Sequence, residues 1–398
     1  MTRDPENVKS VFVEYNHHFG VSANRIGSFW PLLGFGLSST EGETWSHARS
    51  TVRPQFYRDQ ISRLSFLDDN CRDLTAVLRP GKDGWTAAVD VQPLFLNLTL
   101  DAITELVLGQ SVDSQRTKAA ASSGNETIPS AHWNLFADHF DAAKGWLNTR
   151  LVMGNFYWLV VSRKFNFHCR QVHRHLDNFV ERRLSRSKPK LRSNSRARFT
   201  LLDKLAERSQ DPAALRGDLL HIISPGRDTV ASLLSWIFYF LARDQEAYAK
   251  LRSAILEDFG PDDTKPLDYA KLMACQYLNF VINEVLRLVA IAPIVERICA
   301  VDTVLPKGGG PDGTKPIFIT KGSSFLISIY AMQRRVDIWG PDAGEFRPER
   351  WQGRGFGWEF SPFGGGLRKC IGRTLHSVLY DRIFENANTL LRRALCAD

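Results

Sequence analysis

Several signatures are missing from these 398 residues, and each absence removes a class of protein. Six cysteines are too few for a disulfide scaffold, and no two form a CxxC pair, so a zinc ribbon and a thioredoxin-type site are excluded. The ten histidines contain no HExxH. The glycine-rich stretch 360–373 holds no GK[ST] or GxGxxG and has no strand before it, so a phosphate-binding loop is not expected there. No repeat stands at a solenoid or propeller period, and no βα rhythm suggests a Rossmann fold or barrel. The apolar stretches 229–242 and 151–162 fall short of the ~18 uncharged residues of a membrane span. Residues 1–14 carry charges throughout and do not read as a signal peptide.

What is present is an ordinary globular composition, 43% hydrophobic and 24% charged, large enough for a substantial core. The net charge of +8 is concentrated at 182–198, where eight Lys and Arg stand with no acid; the remainder is formally neutral. This run reads as a solvated basic linker, with an anionic membrane surface or acidic partner as the second reading. No aromatic platform or groove-reading motif accompanies it, so no nucleic-acid partner is expected.

The pattern is mainly α with a small β region. Asp4-Pro5 and Asp211-Pro212 read as helix starts, the second opening a helix that runs to about Arg243. Further helices are expected at 45–56, 90–108, 134–184, 276–289 and 374–395. The segment 29–37 (FWPLLGFGL) reads as an apolar loop, 117–130 as a polar linker, and 301–329 as a small β-meander punctuated by glycines.

The most informative stretch is 360–373, FSPFGGGLRKCIGR: one cysteine closes a glycine-rich coil ahead of a helix. A buried structural cysteine is the bland reading. A nucleophile would need a base, and none is adjacent. A metal thiolate explains more, because backbone amides released by the glycines and a helix N-terminus both favour a sulfur anion. A single thiolate with no second cysteine or histidine nearby suits the axial position of a heme.

Phe363, Gly366, Arg368, Cys370 and Gly372 match F-x-x-G-x-R-x-C-x-G, which resembles the heme-ligand signature of the cytochromes P-450. Other motifs follow in the family's order: Trp45-x-x-x-Arg49, Gly226-Arg227-Asp228-Thr229, Glu284-x-x-Arg287 and the FRPERW run at 346–351. The resemblance implies a single heme-thiolate monooxygenase domain over 1–398 with the cytochrome P-450 fold, and Cys370 as ligand of the heme iron. It implies heme-propionate partners in Trp45, Arg49, Arg297 and Arg368. It implies a structural trio of Glu284, Arg287 and Arg350, and proton delivery by the catalytic pair Asp228 and Thr229. Physically, a carboxylate between two guanidiniums can pin a coil to a helix. An acid and a hydroxyl beside a helix distortion can hold water and pass protons. Pro225 departs from the family, which usually has Ala or Gly before this glycine; a proline there removes a helix bond.

The runs LNLTLDAITELVLG, GRDTVASLLSW, GGGPDG, YAMQRRVDIWG and FRPERW are closest to fungal hydroxylases of n-alkanes and fatty acids. The implied function is hydroxylation of a long-chain fatty acid or n-alkane with O2, electrons arriving from NADPH through an NADPH–cytochrome P-450 reductase at the endoplasmic reticulum membrane. Phe29, Trp30, Leu32, Leu33, Phe35, Phe136, Phe140, Trp146, Phe156, Tyr157 and Trp158 fall in the two segments that cover the pocket in this family. An apolar lining suits such a substrate. Measured against the family, both ends are expected to be truncated, and the alternative is a truncated or vestigial member that binds heme poorly or lacks turnover.

Overall fold

The computed structural model describes residues 1–56, 66–78, 82, 86, 88–122, 134–185, 200–260, 271 and 274–373. The chain divides into two compact units. Among the described residues, one takes Met1–Ser22 together with Ser232–Arg373; the other is Ala23–Ala231.

In the second unit, α1 (Ala23–Leu33) leads to α2 (Gly42–Val52), α3 (Phe66–Val77), α4 (Val91–Leu108), α5 (Ser114–Ser122), α6 (Asn134–Val152), α7 (Arg163–Ser185), α8 (Leu201–Ala206) and the start of α9 (Pro212–Arg243). The helix α4 shows why these boundaries fall where they do. Asp90 accepts a bond from the Gln92 amide at 3.0 Å, and Gly109 ends the helix at φ 78°. Its 18 residues are long and apolar enough to cross a membrane, a match the apolar-run reading did not find, yet more than half of it is buried among its neighbours. One buried polar residue, Asp101, accepts the Ser114 and Gln115 amides at 2.7 and 3.0 Å and so caps α5. Burial pushes its carboxyl up to about 6.

Two expectations for this unit are corrected. Residues 29–33 belong to α1 rather than to a loop. Pro31 leaves the Gly27 carbonyl without its helical donor. Arg150 of α6 supplies one, donating to the Gly27 and Ser28 carbonyls at 2.9 and 3.2 Å. Residues 117–122 lie in α5, whose N-terminus Asp101 anchors, rather than in a linker. Of the basic run, 182–185 form the last turn of α7; the remainder, like the helix expected at 374–395, lies outside the described residues.

The first unit opens with a helix (Pro5–Lys9) that passes into a π-helical turn (Ser10–Glu14), and later carries α10 (Gln245–Phe259) and α11 (Gln276–Val289). Its strands are β1 (Phe19–Gly20), β2 (Ile294–Cys299), β3 (Thr303–Gly309), β4 (Lys315–Ile319) and β5 (Ser324–Ser328). They form two antiparallel sheets, β1-β2-β5 and the hairpin β3-β4, rather than one meander. Both sheets feed one core: Phe325 and Ile327 of β5 and Leu305 of the hairpin join Val8, Val11, Phe12 and Phe19, while the alternating Val304 and Phe318 of the hairpin face outward.

Candidate functional site

In the first unit the predicted trio is assembled. Glu284 and Arg287 stand on one face of α11 and are fully buried. Arg287 Nε and Nη2 reach the two Glu284 oxygens at 2.8 Å each, and Arg350 Nε donates to Oε1 at 2.9 Å. Two further donors complete the carboxylate: the Arg347 amide at 3.0 Å and the Trp351 indole at 3.1 Å. The arginines spend their remaining N–H groups on the backbone carbonyls of Gln333, Ala343 and Glu345 for Arg287, and of Trp339 and Asp342 for Arg350, which also pairs with the Asp342 carboxylate at 3.1 Å. A buried charge cluster is tolerable only when satisfied this completely.

Gln333, which the motif reading did not single out, carries that order toward the cysteine coil. Its amide donates to the Leu286 carbonyl at 2.9 Å and its oxygen accepts the Ser361 amide at 3.2 Å. The coil then turns through Gly364 and Gly366, both at positive φ, into a short 3-10 turn (Gly366–Arg368). The Cys370 amide closes the turn on the Phe363 carbonyl at 3.0 Å. Glycine is required at 366: a Cβ there would lie 1.8 Å from the Phe12 carbonyl oxygen. Phe12 was also missed, and it touches a second predicted residue, since Arg297 of β2 lies over its ring at 5.6 Å. The only available signal was the apolar spacing of Val8, Val11 and Phe12.

Cys370 is exposed, whereas Cys71, Cys169, Cys275 and Cys299 are buried. Burial pushes the Cys169 thiol up to about 12, which keeps it protonated and inert. Among the described residues, no three His, Cys, Asp or Glu side chains cluster as a metal site. An exposed sulfur on a glycine-shaped turn, with Arg368 two residues before it, fits a group that brings its own in-plane ligands and needs one axial thiolate. Gly372 follows in the next turn, with Arg368 and Phe363 half-buried.

In the second unit, Trp45 and Arg49 share one face of α2, the guanidinium over the indole at 5.6 Å. On α9, which continues through Pro225, the Thr229 hydroxyl donates to the Pro225 carbonyl at 2.8 Å. Asp228 pairs with Lys144 of α6. Burial, with the Arg227 guanidinium adding to it, holds the Lys144 ammonium down to about 7, while contact with Asp228 favours the charged form. Buried Arg227 is itself held by Asp141, at 3.0 Å for Nη2, and by the Leu96 carbonyl at 3.1 Å. Neither Lys144 nor Asp141 was foreseen. Phe136 and Phe140, expected near substrate, are fully buried and stack on each other, so they serve the core; Trp30, Phe35, Phe156 and Trp158 are exposed.

The family model described as cytochrome P-450 matches residues 1–378. A cytochrome P-450 monooxygenase of Fusarium sp, g430, is 41% identical over 379 residues, covering 94% of this chain and 66% of its own length. Cytochrome P-450 52A13 of Debaryomyces hansenii is 37% identical over 377 residues, covering 94% and 72%. The chain thus spans about two thirds to three quarters of the length of these relatives. A crystal structure of a cytochrome P-450 heme domain superimposes with a TM-score of 0.75 at 18% identity, over 97% of this chain and 78% of that one, which shows the shared fold. The chain belongs to the cytochrome P-450 family.

Proposed function

We propose that residues 1–398 act as a heme-thiolate monooxygenase domain that hydroxylates a long-chain fatty acid or n-alkane. The observation that carries this reading is the turn from Phe363 to Gly372, which presents exposed Cys370 at the end of a coil tied through Gln333 to the Glu284–Arg287–Arg350 cluster. In this reading Cys370 would hold the heme iron through its thiolate. Trp45, Arg49, Arg297 and Arg368 would balance the propionates, because two carboxylates removed from water require cations and donors. The bound heme would supply activation of O2, helped by the electron-rich thiolate. Asp228, half-exposed and able to trade its proton with Lys144, would relay protons from solvent. Thr229 would orient a water against the Pro225 carbonyl it already engages.

Electrons would come from NADPH through a reductase. An exposed apolar run, with Val152, Phe156, Trp158, Leu159 and Val161 beside Arg163 and Lys164, supports contact with an anionic membrane surface such as that of the endoplasmic reticulum.

The test is the difference spectrum of the reduced protein with carbon monoxide. A thiolate-type Soret band is expected, and Cys370→Ala should abolish it. A histidine-type band, or a band unchanged in the variant, would overturn the assignment. Product analysis with reductase, NADPH and lauric acid then tests turnover: hydroxylated acid is expected, and its absence beside a correct spectrum would overturn the substrate reading.

A further inference from the structure

The second unit holds a pair of histidines that neither the sequence motifs nor the proposed function uses. His139 stands on α6 three residues after buried Phe136, and His168 on α7 three after buried Phe165. Helical spacing thus sets each at the edge of its helix's buried stripe, and both are half-buried. Across the contact between the two helices their Nδ1 atoms stand 2.9 Å apart, although 29 residues separate them in the chain. The Phe167 ring meets both imidazoles edge to face, with centroids at 5.4 Å in each case, and limits their tilt from one side.

At that distance one Nδ1 carries a proton and the other accepts it. Among the described residues neither ring bonds through Nε2, so each can hold its N–H there and leave Nδ1 bare. Two bare nitrogens facing each other repel unless a cation stands between them. The surroundings suit one. Burial, with His168 beside it, holds His139 below the usual histidine range, so this ring is uncharged at pH 7 and able to ligate. Asp138, its neighbour on α6, draws positive charge toward it. The pairing of Asp138 with Lys118 is exposed and long, at 3.8 Å, and takes little of that field away.

The ring spacing selects the ion. With Zn–N bonds of about 2.0–2.1 Å, two imidazoles at the tetrahedral angle have nitrogens about 3.3 Å apart and centroids about 5.2 Å apart. The centroids of His139 and His168 already lie 5.1 Å apart. The rings need only pivot, opening their nitrogens from 2.9 Å, with α6 and α7 left in place. The right-angled coordination that Cu2+ or Ni2+ prefers would draw the centroids to about 4.5 Å and the helices with them. We propose that His139 and His168 form a zinc site that clasps α6 to α7, each ring ligating through Nδ1 and water completing the tetrahedron. The site rests on this geometry alone and is independent of the heme reading.

The test titrates Zn2+ calorimetrically into the full holoprotein and into its His139→Asn and His168→Asn variants. Asparagine places an amide where Nδ1 was, so it keeps the hydrogen bond between the helices but is a poor zinc ligand. Wild type is expected to bind one zinc ion about 100-fold more tightly than either variant, the gain from joining two ligands at one ion. Zinc should raise the thermal midpoint of wild type and not those of the variants, whose zinc-free midpoints should match it. In zinc-soaked crystals of wild type, a measurement that needs no variant to fold, the anomalous peak should lie about 2.0–2.1 Å from both Nδ1 atoms. Equal zinc affinity in wild type and both variants, or a peak elsewhere, would overturn the site. So would a peak between the rings with no such difference in solution, which marks an adventitious ion only.

Discussion

Two carboxylates divide the labour of this molecule. Glu284 is wholly buried and accepts from two guanidiniums, an indole and a backbone amide. Asp228 keeps 39% of its side chain exposed, with Lys144 as its cationic partner. Both are ion-paired acids on long helices, so pairing does not distinguish them. Burial does. A carboxylate that no water reaches and every neighbour donates to acts as a joint. One at the edge of solvent beside an ammonium depressed to about 7 can exchange protons.

That contrast can be broken most forcefully at Glu284. Glu284→Gln leaves buried Arg287 without its counter-charge and Arg350 with Asp342 alone, and should cost about 3–5 kcal/mol, read by denaturant unfolding. Gly366→Ala should cost about 1–3 kcal/mol from strain at φ +61° alone, more if Phe12 cannot yield, and should weaken heme retention in step with thermal stability. Asp228→Asn should change unfolding by no more than about 1 kcal/mol, because Lys144 can shed its proton rather than remain an unpaired charge. Its effect belongs to turnover, which should fall about 100-fold or more with the carbon monoxide spectrum intact. A stability loss comparable to that of Glu284→Gln would end the distinction. The smallest effect concerns Asp101, whose folded pKa is raised. The folded state binds the extra proton between roughly pH 4 and about 6, so stability should decline as pH rises through that window. Asp101→Asn should flatten that decline in a series of unfolding midpoints.

Local signals wrote much of this arrangement. The bounds of α9 and α11 follow from Asp211-Pro212 and from uninterrupted helical periodicity, and the cysteine turn announces itself through its glycines. What could not be read were pairings across great separations. Pro31 sits inside a helix because Arg150, 119 residues on, takes the vacated carbonyl. The strand β2 was unmarked until β5 supplied its ladder. Phe12, Gln333 and Lys144 look like ordinary helix residues, and only their partners give them a role. Periodicity names the face of an element, not the distant group that will meet it.

The contact between Phe12 and Gly366 also sets a timetable. The ribosome makes the two roughly 20–70 s apart at ~5–20 residues per second. For that interval the ring at residue 12 has no glycine turn to cover, and the turn, once made, needs a partner that must already be waiting. The cysteine coil therefore cannot mature before this later segment meets Phe12, and a chaperone or cofactor arriving in that interval would find its seat unfinished.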